Sequence, residues 1–108
     1  MFETTENGRS LIMLENKFQS KLIQEIKKEF PGCMVLKNDS SYLQGVPDIS
    51  VFHKDHWAML EVKKSKNAKR QPNQEYYVDK LNDMSYATFV YPENKDEVMD
   101  ELRKRFNE

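Results

Sequence analysis

Asp48 follows Gly45-Val46-Pro47, and thirteen positions on, Glu61-Val62-Lys63 sets a second carboxylate two residues before a lysine. Both segments are apolar and strand-like. Two acids on adjacent strands can share a hard divalent cation, and a lysine facing the same way can hold a water or an anionic oxygen beside it. That is the chemistry of phosphodiester hydrolysis. Gly45 permits close backbone approach and Pro47 fixes the turn, which together hold the Asp48 carboxylate at the start of a strand. Glu61 and Lys63 alternate with Ala58, Leu60 and Val62, so they share one face while the apolar set packs on the other. Glu-x-Lys on a half-buried strand is common by itself. Its weight comes from the Gly-x-Pro-Asp run at hairpin spacing before it.

The elements that must position these groups read as an αβββαβα string without repeats. Leu11, Leu14, Phe18, Leu22, Ile26 and Phe30 recur every three or four positions, which predicts an amphipathic helix from about Ser10 to Phe30, stopped by Pro31-Gly32. Residues 1–9 are polar and expected to be frayed. Cys33 to Leu36 reads as a first strand and Asn38 to Gly45 as a polar loop. Asp48 to His53 and Trp57 to Lys63 read as two strands joined by the charged turn Lys54-Asp55-His56. A second helix opens at Gln71-Pro72 and runs to about Met84. Ala87 to Tyr91 reads as a fourth strand ended by Pro92. Asn94 is the expected cap of a last helix over about 95–106, with Val98, Met99, Leu102 and Phe106 as its apolar stripe.

Beyond the central acids, Glu15 falls inside the first helix's apolar stripe, where an unpaired carboxylate is costly. Either it reaches out to water or a cation meets it; Glu25 and Glu29 also fall near the apolar side. Gln74, in the first turn of the second helix, is in line with Tyr77, Val78 and Leu81 and so faces the sheet, unless it serves only as a polar cap. Cys33 reads as a small core residue, and His53 and His56 as surface residues flanking the hairpin turn.

Composition bounds the rest. The 108 residues suit one domain, with 38% apolar and 32% charged positions. No apolar run approaches the roughly 20 residues of a membrane span, and the N-terminal sequence gives no expectation of a secretory signal. A single cysteine excludes an internal disulfide and a CxxC zinc site. The net charge of −1 excludes bulk positive charge as the grip on a polyanion. The charge is uneven, however: Lys63, Lys64, Lys66, Lys69 and Arg70 lie in one stretch with no acid.

Gly45 to Lys63, with Glu15 before and Gln71-Pro72-Asn73-Gln74-Glu75-Tyr76-Tyr77 after, resembles the PD-(D/E)xK nuclease superfamily, and within it the virus-type replication-repair nucleases (VRR-NUC) and Holliday-junction resolvases, of the kind phages encode. The resemblance covers about residues 11–91. It implies a restriction-endonuclease-like αβββαβ core with a C-terminal helix, in a single nuclease domain spanning residues 1–108. It also implies an Mg²⁺-dependent DNA endonuclease with Glu15, Asp48, Glu61, Lys63 and Gln74 at the catalytic site. Asp48, Glu61, the Val62 backbone carbonyl and Glu15 would bind metal, Lys63 would orient the attacking water, and Mn²⁺ would substitute for Mg²⁺. Lys37, Ser40, Ser41, Lys64, Lys66, Lys69 and Arg70 are the expected phosphate contacts. Branched or junction DNA, a homodimer and the (host) cytoplasm complete the expectation, with the last helix or the Asn38–Gln44 loop supplying the dimer contact. Two alternatives remain on the sequence alone: a non-cleaving nucleic-acid-binding module with the same fold, and an RNA-directed nuclease.

Overall fold

The computed structural model describes residues 2–107, and side chains from Ile12 to Asn107. The element order is α1 (Phe2–Glu29), β1 (Met34–Lys37), β2 (Ile49–His53), β3 (His56–Val62), α2 (Pro72–Met84), β4 (Tyr86–Val90) and α3 (Lys95–Phe106). The boundaries differ from expectation by a residue or so, with one exception. α1 starts at Phe2, well ahead of Ser10, so residues 2–9 belong to the helix. Apolar spacing marks only the turns that pack, whereas helical hydrogen bonding continues past them. Leu11, expected in the apolar stripe, lies outside the described side chains.

Among the described residues the strands form one sheet in the order β1-β2-β3-β4. β1, β2 and β3 run antiparallel; β3 and β4 run parallel, and α2 makes the crossover between them. The sheet's two faces are filled differently. Ile49, Val51, Ala58, Leu60, Val62 and Val90 point to one side and pack with Leu22 and Ile26 of α1, Phe30 just after it, and Val98, Met99, Leu102 and Phe106 of α3. Met59, Ala87 and Phe89 point to the other and pack with Val78 and Leu81 of α2. The chain is thus a mixed α/β fold in three layers.

α1 and α3 are also joined by charge. Lys95 Nζ is 3.1 Å from Glu25 Oε1, and Arg103 Nη2 is 3.1 Å from Glu29 Oε1. Two of the three acids flagged on α1 are therefore met by α3 cations, and only Glu15 lies beyond their reach. The stripe itself begins later than expected: Phe18 is half-buried, whereas Leu14 is 56% exposed. α3 buries its own apolar stripe in this core, so that helix does not offer the apolar dimer contact expected of it. Asn94 precedes α3, but its side chain turns back to β4 instead of capping the helix: its Nδ2 donates to the Phe89 carbonyl at 3.0 Å.

The β2–β3 turn is tighter than expected. His53 pairs with His56, and Lys54, at φ 59°, takes the left-handed conformation that closes the loop. His53 is buried and not at the surface. Its ring packs against both Phe30 and Phe106, at centroid distances of 5.7 and 5.8 Å, while those two rings meet edge-on at 5.1 Å, and its Nδ1 has no hydrogen-bond partner. The residue lies at the end of β2 on the face that α1 and α3 cover, and position in the strand decided its burial over side-chain polarity. His56 stays half-exposed, with Nδ1 2.6 Å from Asp55 Oδ1. Cys33 is half-buried against the core. Among the described residues no helix is long and apolar enough to cross a membrane.

Candidate active site

The antiparallel β2–β3 pair brings the start of one strand and the end of the other to the same edge. Ile49 pairs with Leu60, so Asp48, just before β2, lies level with Glu61 and Val62. The Val62 N–H donates to Asp48 Oδ2 at 2.8 Å, which fixes this carboxylate against the end of β3. Asn38 holds the backbone on Asp48's other side: its N–H donates to the Asp48 carbonyl at 2.8 Å, and its Nδ2 donates to the Pro47 carbonyl at 2.8 Å. Ser50 Oγ in turn donates to Asn38 Oδ1 at 3.0 Å. Asn38 is thus a positioning residue that sequence reasoning placed only in a polar loop. The one signal for it is a side chain with both a donor and an acceptor, directly after a strand.

Gly45 explains why the loop before Asp48 packs so tightly. At φ +94°, a Cβ built there would fall 2.4 Å from Asn73 Cβ, at the beginning of α2. Only glycine meets both conditions, a left-handed backbone and contact with a neighbouring helix. The same contact sets the loop beside Gln74. Gln74 combines the two roles weighed for it: its Oε1 accepts the Gln71 N–H at 3.0 Å, and its Nε2 donates to Glu61 Oε2 at 3.0 Å. Ser40, Gln44 and Gly45 face Gln71, Pro72, Asn73 and Gln74 across a cleft of about 330 Å³.

Electrostatics tie the remaining residues to the same place. Glu61 is 3% exposed, and its burial together with the charge of Asp48 pushes its pKa up to about 8. Burial also raises Asp48, while the Val62 N–H and the Lys63 charge pull it down. Glu15 is raised by burial and lowered by Lys63, and it feels the charge of Asp48. Lys63 is itself buried and its charge acts on all three carboxylates; its N–H donates to the Val90 carbonyl at 2.8 Å, fixing it beside β4. The structure therefore brings Glu15, Asp48, Glu61, Lys63 and Gln74 together, with α1, β2, β3 and α2 each supplying part.

The donor set is one of hard oxygens, and it carries more negative charge than Lys63 balances, which is the condition a hard divalent cation fits. Among the described residues, however, no three His, Cys, Asp or Glu side chains draw close enough to form a ready-made metal cage. The Val62 group whose contact is seen is its N–H and not the carbonyl expected to bind metal.

The expected phosphate contacts separate. Lys66 and Lys69 are exposed in the loop after β3, Lys64 is half-buried, and Lys37 is exposed at the end of β1. Ser40 borders the cleft, whereas the Ser41 hydroxyl donates to Asp39 Oδ1 at 2.5 Å. Arg70 is held over the Phe89 ring, 4.0 Å from its centroid.

The class defined by fold and site is a mixed α/β protein with a buried glutamate, a half-buried aspartate and a buried lysine at the end of its central strands. In comparisons with known proteins, no family model and no curated sequence matches the chain.

Proposed function

We propose that this chain is a metal-dependent nuclease, related in fold and chemistry to the PD-(D/E)xK enzymes and, within them, to the VRR-NUC group. The observation that carries the proposal is the meeting of Asp48, Glu61 and Lys63 at one strand end with Glu15 and Gln74 beside them. The αβββαβα order supports it, being the order that the family core with a C-terminal helix requires.

Asp48, Glu61 and Glu15 would hold Mg²⁺, or Mn²⁺ in its place, together with the Val62 carbonyl. What the ion supplies is a lowered pKa for water and relief of charge on the phosphoryl oxygens. The chain's own groups do the rest. The Val62 N–H and Asn38 fix Asp48, so its carboxylate needs no reorganisation when substrate arrives. Gln74 orients Glu61 from the opposite side. The buried Lys63 ammonium donates to the attacking water or to a phosphoryl oxygen, a task that does not require it to bind metal. Lys64, Lys66 and Lys69 continue the positive charge outwards along the loop, towards the substrate's phosphates.

Within this reading the substrate is DNA, branched or junction DNA by preference, cut by a homodimer that sets two sites against two strands, in the cytoplasm of the cell or host. Tyr42 and Leu43, exposed in the Asn38–Gln44 loop, are the dimer contact that remains after α3 is excluded. The test is an Mg²⁺ cleavage panel of linear duplex, single strand, flap, four-way junction and RNA, run with Asp48→Ala and Glu61→Ala beside the wild type. Cleavage that both substitutions abolish supports the proposal. Metal binding without product on any nucleic acid assigns the fold to a non-cleaving module, and products from RNA alone change the substrate.

A further inference from the structure

A basic groove leaves the site along α1, on the side away from the Gln74 cleft. Leu14, Lys17, Phe18, Lys21, Lys64 and Pro92 line a depression of about 350 Å³. A second depression of about 270 Å³ shares Phe18, Lys21 and Pro92 with it and continues towards Leu22. One end of this groove is beside the carboxylates: Lys64, in its lining, acts on the Glu15 carboxylate through both its backbone and its charge. Its floor is apolar and its rims are cationic. Among the described residues, Lys17, Lys21 and Lys64 make no ion pair, whereas Lys95 and Glu25 at the far end are paired with each other at 3.1 Å. The free positive charge is therefore concentrated in the part nearest the site.

We infer that this groove holds a single strand of nucleic acid, its phosphates on Lys17, Lys21 and Lys64 and a base stacked on Phe18. The inference rests on the nuclease reading for the identity of the chain that reaches the carboxylates. Charge and spacing support it. Lys17 and Lys21 are one helical turn apart, about 6 Å along the axis, on the scale of successive phosphates in an extended strand. A duplex could use the lysines but would leave the apolar floor exposed. A lone strand offers both anionic oxygens for the rims and a π-face for Phe18, the combination on which single-strand binding depends. The groove also gives a near-neutral protein a local grip on a polyanion that its net charge of −1 does not provide.

Fluorescence anisotropy of a labelled single strand and of the matched duplex, in EDTA over a salt series, tests this without cleavage. Wild-type binding of the single strand should weaken as salt rises. Lys17→Gln with Lys21→Gln should reduce the slope of log K against log salt by about 1.4, since each phosphate contact on a single strand contributes about 0.7. Phe18→Leu keeps apolar bulk under the core and should leave that slope intact. It should weaken single-strand binding roughly 5- to 150-fold and duplex binding far less, as loss of one stacked base does. Circular dichroism of each variant separates loss of binding from loss of fold; if Phe18→Leu unfolds, Phe18→Met provides the same comparison. No binding of single strand by the wild type, an unchanged slope in the lysine variant, or equal effects of the Phe18 variant on strand and duplex overturns the inference. So does capture of the chain by anionic vesicles through the same lysines at the same salt. Failure of the nuclease reading shows separately, as absence of cleavage in Mg²⁺. Intact cleavage with unaltered binding in these variants sinks the groove alone.

Discussion

Replacing Glu61 by glutamine should stabilise the metal-free protein at neutral and alkaline pH while abolishing its chemistry. Glu61 has an ordinary value of 4.5 in the unfolded chain and is pushed up to about 8 in the folded one, first by burial and then by Asp48. The folded state therefore binds more protons than the unfolded state between these limits. In that interval stability falls as pH rises, the reverse of the usual carboxylate. Each pH unit above the unfolded value costs about 1.36 kcal/mol, so the loss reaches roughly 3 kcal/mol by pH 7 and levels off once the folded carboxylate ionises. Glutamine carries no such cost. It keeps the shape, its amide oxygen accepts from Gln74, and its amide nitrogen can donate to Asp48. Thermal melts in EDTA should show the two proteins alike near pH 4.5 and Glu61→Gln more stable by on the order of 10 °C or more near pH 8. Adding Mg²⁺ near pH 8 should raise the wild-type melting temperature and leave the variant's unchanged, because binding to the folded state alone is stabilising. A variant that melts below wild type near pH 8, or a difference independent of pH, refutes the argument that Glu61 and Asp48 are held together at a cost.

Other perturbations probe the remaining parts. Lys63→Ala should lower the cleavage rate on the order of a hundredfold or more with Mg²⁺ still bound, as measured by single-turnover kinetics and calorimetry; a raised metal requirement with full turnover at saturation would deny Lys63 its role in the chemistry. Gly45→Ala and Gly32→Ala both place alanine at positive φ, but only Gly45 has a neighbour in the way, so chemical denaturation should show Gly45→Ala costing about 1–3 kcal/mol more. His53→Phe fills the same space against Phe30 and Phe106 without a buried nitrogen lacking a partner, and equilibrium unfolding should find it neutral or stabilising by about 1 kcal/mol. Light scattering at micromolar concentration, with junction-versus-duplex competition, should show a dimer that prefers junctions; a monomer that digests both alike removes the branched-DNA and dimer parts and leaves the general nuclease.

Much of the architecture is legible in the sequence because its determinants are local. Pro31-Gly32 ends a helix, Pro72 starts one, and the alternation across Ala58 to Lys63 assigns Leu60 and Glu61 to opposite faces, where the structure has them. Glu15 and Gln74 are legible as residues facing inward, since helical period alone sets that direction. What each residue meets is set by tertiary packing and is not legible in the same way. The α1 stripe names Leu14, Glu25 and Glu29 on equal terms with Glu15. Only the placement of α3 gives Glu25 and Glu29 their cations, and Leu14 stays at the surface. His53 fails for the same reason: a polar residue beside a charged turn reads as exposed until Phe30, just past α1, and Phe106, at the end of α3, close over it.

The sheet's geometry also explains why this site sits at one edge. Glu61 points to the α2 face and Glu15 comes from α1, across the opposite face, so neither layer alone can assemble the group. They can meet only beyond the last pair of β2 and β3, where Asp48 has left the strand and Val62 gives its N–H to a side chain instead of a neighbouring strand. The change from antiparallel to parallel pairing at β3 keeps that edge open. β4 needs the α2 crossover to return to β3's direction, and the crossover carries Gln74 back to Glu61 and the lysine-rich loop past the site. Moving Asp48 by one residue in register would put its carboxylate on the wrong side of β2, separate it from Glu61 and leave Glu61 buried without the neighbour that shares its site. The Pro47 turn, the Asn38 clamp and the Gly45–Asn73 contact act against that slip from three directions. Residues that take no part in the chemistry, Asn38 and Gly45 among them, should therefore affect activity through the position of one carboxylate.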